Sequence, residues 1–373
     1  MERARRLKAL LIKEMYQIIR DPSSLLISGF LPLLLLFLYG FGVSLDMDHL
    51  KIGLVLQDDS NDAQSFAESL VYSPYFNVKI ARDERELVDS IIDGSIRGIV
   101  VIPSYFSEFR LRPDIAAPIQ VIADGSEPNT ASFVQNYVQG AWLQWLQQEK
   151  INTNLKGLPL VQMVSRVWYN EELLSRNFLV PGSLAIIMTL IGTLLTALVV
   201  AREWERGTME SLMATPVTIY ELLVGKLVPY IILGMCSMTL CVIVGVLFYN
   251  IPFRGSFWVL GIASLAFLFT ATQLGLLIST LSKNQFVASQ ASIVSAFLPA
   301  FILSGFIFEI SSMPIVIQYI TTLIPARYFV SILQTLFLVG DVWSLVIPNT
   351  LYILLFGFIL LTITARISKK RLD

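Results

Sequence analysis

The sequence predicts an α-helical polytopic membrane protein of six transmembrane helices, with an α/β extracytoplasmic domain inserted between the first and the second. Three observations carry that prediction. The 373 residues are 55% hydrophobic and only 15% charged, with a mean hydropathy of +0.67, whereas soluble domains carry roughly 25% charge. Apolar runs recur at the ~20-residue length that a ~30 Å hydrocarbon core demands of a helix. Between the first and second of these runs, over 45–176, the pattern changes to short β-type runs alternating with helical ones.

Residues 1–22 come first. Leu7, Leu10, Leu11, Met15, Ile18 and Ile19 recur at helical spacing among Arg3, Arg5, Arg6, Lys8, Lys13 and Arg20, and Asp21-Pro22 stops the pattern. The segment reads as an amphipathic helix lying on the membrane surface, and equally as a docking surface for a cytoplasmic partner. The apolar run after it is too long for a secretory signal and no small-residue cleavage site follows, so the segment is expected to stay with the chain. The first transmembrane helix occupies 23–44, with Leu25 to Val43 as its apolar core.

Within 45–176, KIGLVLQD, FNVKIAR, RGIVVIP and PIQVIADG read as strands. DERELVDSIIDG reads as a helix capped by Asp83 with Glu86 three residues on, buried through Leu87, Val88, Ile91 and Ile92 and stopped by Gly94. DGSEPNTA, at 124–131, reads as a turn and a helix start. A longer helix around Thr130 to Gln148, lined by Phe133, Val134, Tyr137, Val138, Ala141 and Trp145, leads back to the membrane.

Residues 177–366 hold five further spans: Phe178 to Val200, Leu222 to Phe248, Phe257 to Leu281, about Val287 to Phe308, and Leu345 to Ala365. The run from Val287 is the softest, since it carries Ser289, Gln290, Ser292 and Ser295. The stretch 309–344 is apolar but broken by Pro314, Pro325 and Gly340, which fits an external re-entrant segment with Arg327 at the interface. Residues 367–373 form a basic tail. Lysine and arginine at both ends place both termini in the cytoplasm, which needs an even number of crossings and so supports the softest span. The loop 201–221 and the short loop around Lys283 are then cytoplasmic. The inserted domain, with 18 Asp and Glu against 11 Lys and Arg over 45–177, lies outside.

Several chemistries are missing from the sequence. Cys236 and Cys241 share one apolar helix, so no disulfide framework is expected. His49 is the single histidine, and beside Asp46 and Asp48 it makes a polar juncture rather than a metal ligand set. No phosphate-cradling G-x-x-x-x-G-K-[ST] occurs, since Gly225-Lys226 is followed by Leu at a helix start. No acidic or basic side chain falls near the middle of a span, where a proton-coupled pump would keep one. Such a chain needs a driving force from elsewhere.

AREWERGTMESLMATP, residues 201–216, is a dense run of charge between two apolar helices. If it is helical, Glu203, Arg206 and Glu210 share one charged edge toward water and Pro216 ends the element. Pairs at i,i+3 and i,i+4 stabilise such a helix by only about 0.2–0.5 kcal/mol each, too little to account for the density of charge. The run reads as a coupling element pressed by a cytoplasmic motor, against the plainer alternative of a solvated loop.

EWERGTMESLMATP after the second span resembles the E-R-E-x-G-T-x-E-x-L-x-x-[ST]-P signature of ABC-2 type transporter permeases. The resemblance extends over most of the chain: the start from Lys13-Glu14 to Pro22, the large insertion after the first helix, DGSEPNTA, LSGFIF at 303–308 and IPARYFV at 324–330. It is closest to bacterial Ybh-type multidrug export permeases, and it implies the fold of a type V exporter in a bacterial inner membrane. It also implies a second permease subunit, identical or paralogous, and a cytoplasmic ABC ATPase that carries the ATP and Mg. The chain itself is then no enzyme and binds no cofactor or nucleic acid. A HlyD-type periplasmic adaptor and membrane lipid are the other implied partners, and the cargo is a drug or other amphiphilic, lipid-like molecule exported by alternating access.

By matching position, Glu203, Glu205, Arg206, Gly207, Thr208 and Glu210 are the implied ATPase-coupling residues, with Lys13, Glu14, Arg20 and Asp21 on the interface helix. Polar and polarizable groups inside spans make Met188, Thr189, Thr193 and Thr196, with Phe297, Phe301 and Ser304, candidates for the pathway or for helix packing. Two other classes stay open on the sequence: a receptor whose external α/β domain binds a ligand, against which no output domain is seen, and a secondary transporter.

Overall fold

The computed structural model describes residues 2–42, 49–110, 119–123, 128–152 and 175–368. The chain divides into two compact units, one of residues 45–165 and one formed by the rest. Helix α1 (Glu2–Arg20) ends where the sequence places its stop. Asp21 then accepts hydrogen bonds from the Ser23 N–H and the Ser24 hydroxyl, at 3.3 and 2.6 Å, and so caps the first span, α2 (Pro22–Phe41). Of the α1 stripe, Ile18 is buried and Ile19 is 61% exposed, because the face that packs is set by Leu10, Glu14 and Ile18.

The unit of residues 45–165 is built on a four-stranded sheet of β1 (Leu50–Leu56), β2 (Phe76–Ala81), β3 (Gly98–Ile102) and β4 (Gln120–Ala123), in the order β2-β1-β3-β4. β1 pairs in parallel with β2 and β3, and β4 runs antiparallel to β3. Helix α3 (Asn61–Val71) and the long α5 (Pro128–Asn152) cover one face through Phe66, Leu70, Val134, Val138 and Trp145. Helix α4 (Arg85–Ile92) covers the other through Leu87 and, in part, Ile91. Val88 and Ile92 are exposed, contrary to the four-residue stripe expected of them. An eight-residue helix presents a single i,i+4 row to the sheet, and theirs lies about 100° further round. Asp83 accepts from the Arg85 N–H, while the N-cap position is Glu84. Gly94 takes the left-handed stop at φ 66°. The turn at 124–127 lies outside the described residues.

The other unit continues with α6 (Ser175–Glu205), α7 (Thr208–Met213), α8 (Ile219–Leu247), α9 (Phe257–Ser282), α10 (Gln285–Leu303), α11 (Ile315–Thr321), α12 (Pro325–Leu338) and α13 (Trp343–Ile367). Together with α2, the helices α6, α8, α9, α10 and α13 are the six described helices long and apolar enough to cross a membrane. α6 is the centre of this bundle, 89% buried over its apolar window, while the windows of α2, α10 and α13 bury less than a third. Most expected bounds agree to within three residues, and two move by five. The second span runs on to Glu205, so 201–205 is its last turn and not loop, and the fifth ends at Leu303, before Gly305 at φ 84°. In the broken stretch, α11 and α12 meet at 82°. The Arg327 guanidinium closes that bend, donating to Thr321 Oγ1 at 2.6 Å and to the Gln318 carbonyl at 3.4 Å.

Candidate functional site: a buried charge junction

Helix α8 begins with a reciprocal cap, in which the Glu221 N–H bonds the Thr218 hydroxyl and the Thr218 N–H bonds the Glu221 carboxylate. One turn on, Gly225 lets α1 lie against α8: a Cβ at this position would stand 3.1 Å from Leu10 Cβ. That approach brings Glu14, a turn beyond Leu10, to Lys226. The Lys226 ammonium donates to Glu14 Oε1 at 3.2 Å and to Glu203 Oε2. Lys13 donates to Glu14 Oε1 and to Glu203 Oε1, at 2.8 Å each. Glu14, Glu203 and Lys226 are all no more than 4% exposed. Two carboxylates and two ammonium groups therefore balance at one point, as buried charges must if they are to stay ionised.

A second ring of contacts surrounds this node. Arg202 pairs with Asp21 at 3.0 Å. Arg6 donates to the Pro216 carbonyl at 2.8 Å and lies 3.8 Å from Glu221. Helix α1 is thus pinned to the end of α6, to the turn beyond α7 and to the start of α8. Burial works against the charges of Lys13, in the node, and Asp21, in the ring, and loses. It would lower the ammonium pKa of Lys13, but Glu14 and Glu203 hold it above the usual value. It would raise Asp21, but the Ser24 hydroxyl, Arg202 and the Ser23 N–H hold it below.

The run 201–216 is not one helix with a charged edge toward water. Gly207, at φ 68°, turns the chain between α6 and α7, and no side chain fills the space its Cβ would take. Glu203 points inward to the junction, while Arg206, Thr208 and Glu210 are exposed. The Thr208 hydroxyl donates back to the Glu203 carbonyl at 3.2 Å. Glu205 faces a different partner: its Oε1 accepts from the Gln285 N–H, at the first residue of α10, at 2.9 Å. Beside it the Lys283 ammonium stands 5.0 Å from the centre of the Trp204 ring. Arg20 is exposed, its guanidinium 5.9 Å from the Tyr16 ring centre.

The intramembrane candidates lie elsewhere in the bundle. Thr189 and Thr193 are buried on α6, with hydroxyls donating to the carbonyls of Ala185 and Thr189. Met188 is buried in the bundle core. Phe297 and Phe301 stack at 5.8 Å, and Phe301 and Phe306 both pack against Tyr39 of α2. The hydroxyls of Thr196 and Ser304 are buried without a hydrogen-bond partner.

Sequence reasoning missed Lys226, Arg202 and Arg6 as parts of the junction, and Lys283 with Gln285 as contacts of the 201–205 turn. One signal was available. Lys226 is a full-length cation two turns inside a 29-residue apolar helix, and such a group needs a carboxylate close by.

Six membrane-length helices, with an N-terminal helix locked by buried charge to the ends of the second and third, define a polytopic membrane protein with a built joint at one end of its bundle. Residues 22–366 match the family described as ABC-2 family transporter protein, and the chain belongs to that family. It is 48% identical to the probable multidrug ABC transporter permease YbhS of Escherichia coli K12 over 99% of this chain and 98% of that protein. It is 30% identical to the probable multidrug ABC transporter permease YbhR of the same organism, over 89% of this chain and 90% of that one. To its inner membrane transport permease YhhJ the identity is 28%, over 66% of each.

Proposed function

We propose that this chain is the membrane-spanning subunit of an ATP-driven exporter of drugs or other amphiphilic molecules, resident in a bacterial inner membrane. It pairs with a second permease subunit and draws on a separate cytoplasmic ABC ATPase. In this reading the end carrying α1, α7 and Lys283 faces the cytoplasm, and the unit of residues 45–165 lies outside, where an adaptor would meet it. Alternating access at the interface of the two subunits moves the cargo. The observation that carries the reading is the Lys13-Glu14-Glu203-Lys226 junction. Force applied to α1 or to the exposed Arg206 and Glu210 reaches the second and third spans through buried ion pairs rather than through a loose loop.

The test is transport into inverted vesicles with the ATPase co-expressed, comparing wild type with Arg206→Ala/Glu210→Ala. Both residues are exposed and lie outside the junction. Complex recovered, ATP turnover retained and transport lost is the expected result. Normal transport in the double variant withdraws the coupling role of α7 while leaving the family assignment in place.

A further inference from the structure

A cavity of about 170 Å³ lies within the larger unit, where α6, α9, α10 and α13 meet the break between α11 and α12. No charged residue lines it. Four hydroxyls do, and each is already committed. Thr189 donates to Ala185 O, Thr193 to Thr189 O, Thr270 to both Ala266 O and Ile353 O, and Ser295 to Ala291 O. Their oxygens can still accept, but the lining is predominantly apolar, and it opens beside the exposed Ser295 and Leu323. A closed apolar cavity of about 150 Å³ takes a benzene-sized ring, and this space has that size with an opening toward the surface.

Two of the four π-helical turns described in this unit border the space, and the other two lie in α2. Thr193 belongs to a π-helical turn, Ile191–Leu195, and Ser295 to another, Ile293–Phe297. Leu323, Ile324 and Pro325, at the 82° break, close the third side. π-helical turns are frequent at functional sites, and broken backbone at membrane depth is tolerated where it is buried in protein or lines a cavity. Three of them converge on this one space and leave it open.

We propose that the cavity is a binding site for a compact, uncharged hydrophobic group about the size of one six-membered ring, drawn from the membrane phase as a free ring compound or as the end of an acyl chain. The site is complete within one chain and goes beyond the transport reading, since it needs neither the ATPase nor a second subunit. Its occupant packs against the break between α11 and α12 on one side and the central helix α6 on the other.

The experiment uses the purified full chain in fluorine-free detergent micelles, with fluorobenzene as the probe and fluorine NMR as the readout. A bound resonance, separate from that in empty micelles and saturating at one probe per chain, is expected in wild type. It is retained in Ile363→Phe, which adds a ring on the exposed face of α13, and lost in Ala300→Phe, which fills the cavity. Because Ala300→Phe risks misfolding, Leu274→Ala provides the opposite change: the enlarged space admits 1-fluoronaphthalene, which wild type refuses. A resonance unchanged in Ala300→Phe, absent from wild type, or showing no difference in ring-size preference between wild type and Leu274→Ala overturns the site. Loss of the signal on adding back phosphatidylethanolamine identifies an acyl chain as a group the site takes, and its persistence at excess lipid excludes the acyl chain and leaves the ring compound.

Discussion

Glu203, three residues before the turn that ends the second span, and Lys226, seven residues into the third, form a buried ion pair that Glu14 of the N-terminal helix shares. Removing one partner strands a charge, whereas removing a balanced pair does not. Lys226→Met leaves Lys13 facing two buried carboxylates and is expected to destabilise the chain by about 3–5 kcal/mol. Glu203→Gln/Lys226→Met leaves the Lys13-Glu14 pair intact and should recover much of the loss. Thermal unfolding of the three purified proteins in the same detergent decides it; a double variant less stable than Lys226→Met contradicts the pairing.

Glu205 and Lys283 tie the end of α6 to the start of α10 at the surface, where such contacts stabilise by about 1 kcal/mol or less. Glu205→Ala/Lys283→Met, which removes the acceptor as well as the charge, should therefore fold and assemble normally. If this tie carries movement to the fifth span, the transport obtained per ATP hydrolysed falls at least severalfold. An unchanged ratio reduces the contact to surface packing.

At Gly207 the cost of substitution is set by the backbone alone, because the space beside it is open. Gly207→Ala should cost about 1–2 kcal/mol, Gly207→Asn less, and Gly207→Val more. Equal melting temperatures across the three would show that the turn adopts another conformation.

Asp21 and Lys13 predict opposite pH limbs. The depressed value of Asp21 contributes stability that is full above its unfolded value and disappears as pH falls through the folded one. The raised value of Lys13 contributes stability that is full below its unfolded value and disappears as pH rises through the folded one. Melting curves at acid and at strongly alkaline pH should therefore lose their low-pH limb in Asp21→Asn and have it intact in Lys13→Met, with the reverse at high pH.

Hydropathy and period were enough to find the six long helices and all four strands, since each depends on residues close together in the chain. The softest span, marked by its apolar run despite four polar residues, gained its support from the even number of crossings that both basic ends need. The junction was hidden for the opposite reason. Glu203 reads as one more charge in a charged run until α1 returns from 190 residues away to cover it. The fates of Val88 and Ile92 were hidden on a smaller scale: apolarity marks them for burial, but the sheet beneath α4 accepts only the row of Leu87 and Ile91.

Glu14 is made 212 residues before Lys226. At synthesis rates of about 5–20 residues per second, roughly ten to forty seconds separate the emergence of the two. Through that interval the Glu14 carboxylate is without the Lys226 partner that the finished junction gives it. Docking of α1 is therefore a late assembly step, taken only after the third span has entered the bilayer. Chains arrested before that point present an undocked helix with Leu10, Glu14 and Ile18 uncovered, the face that the finished subunit packs away.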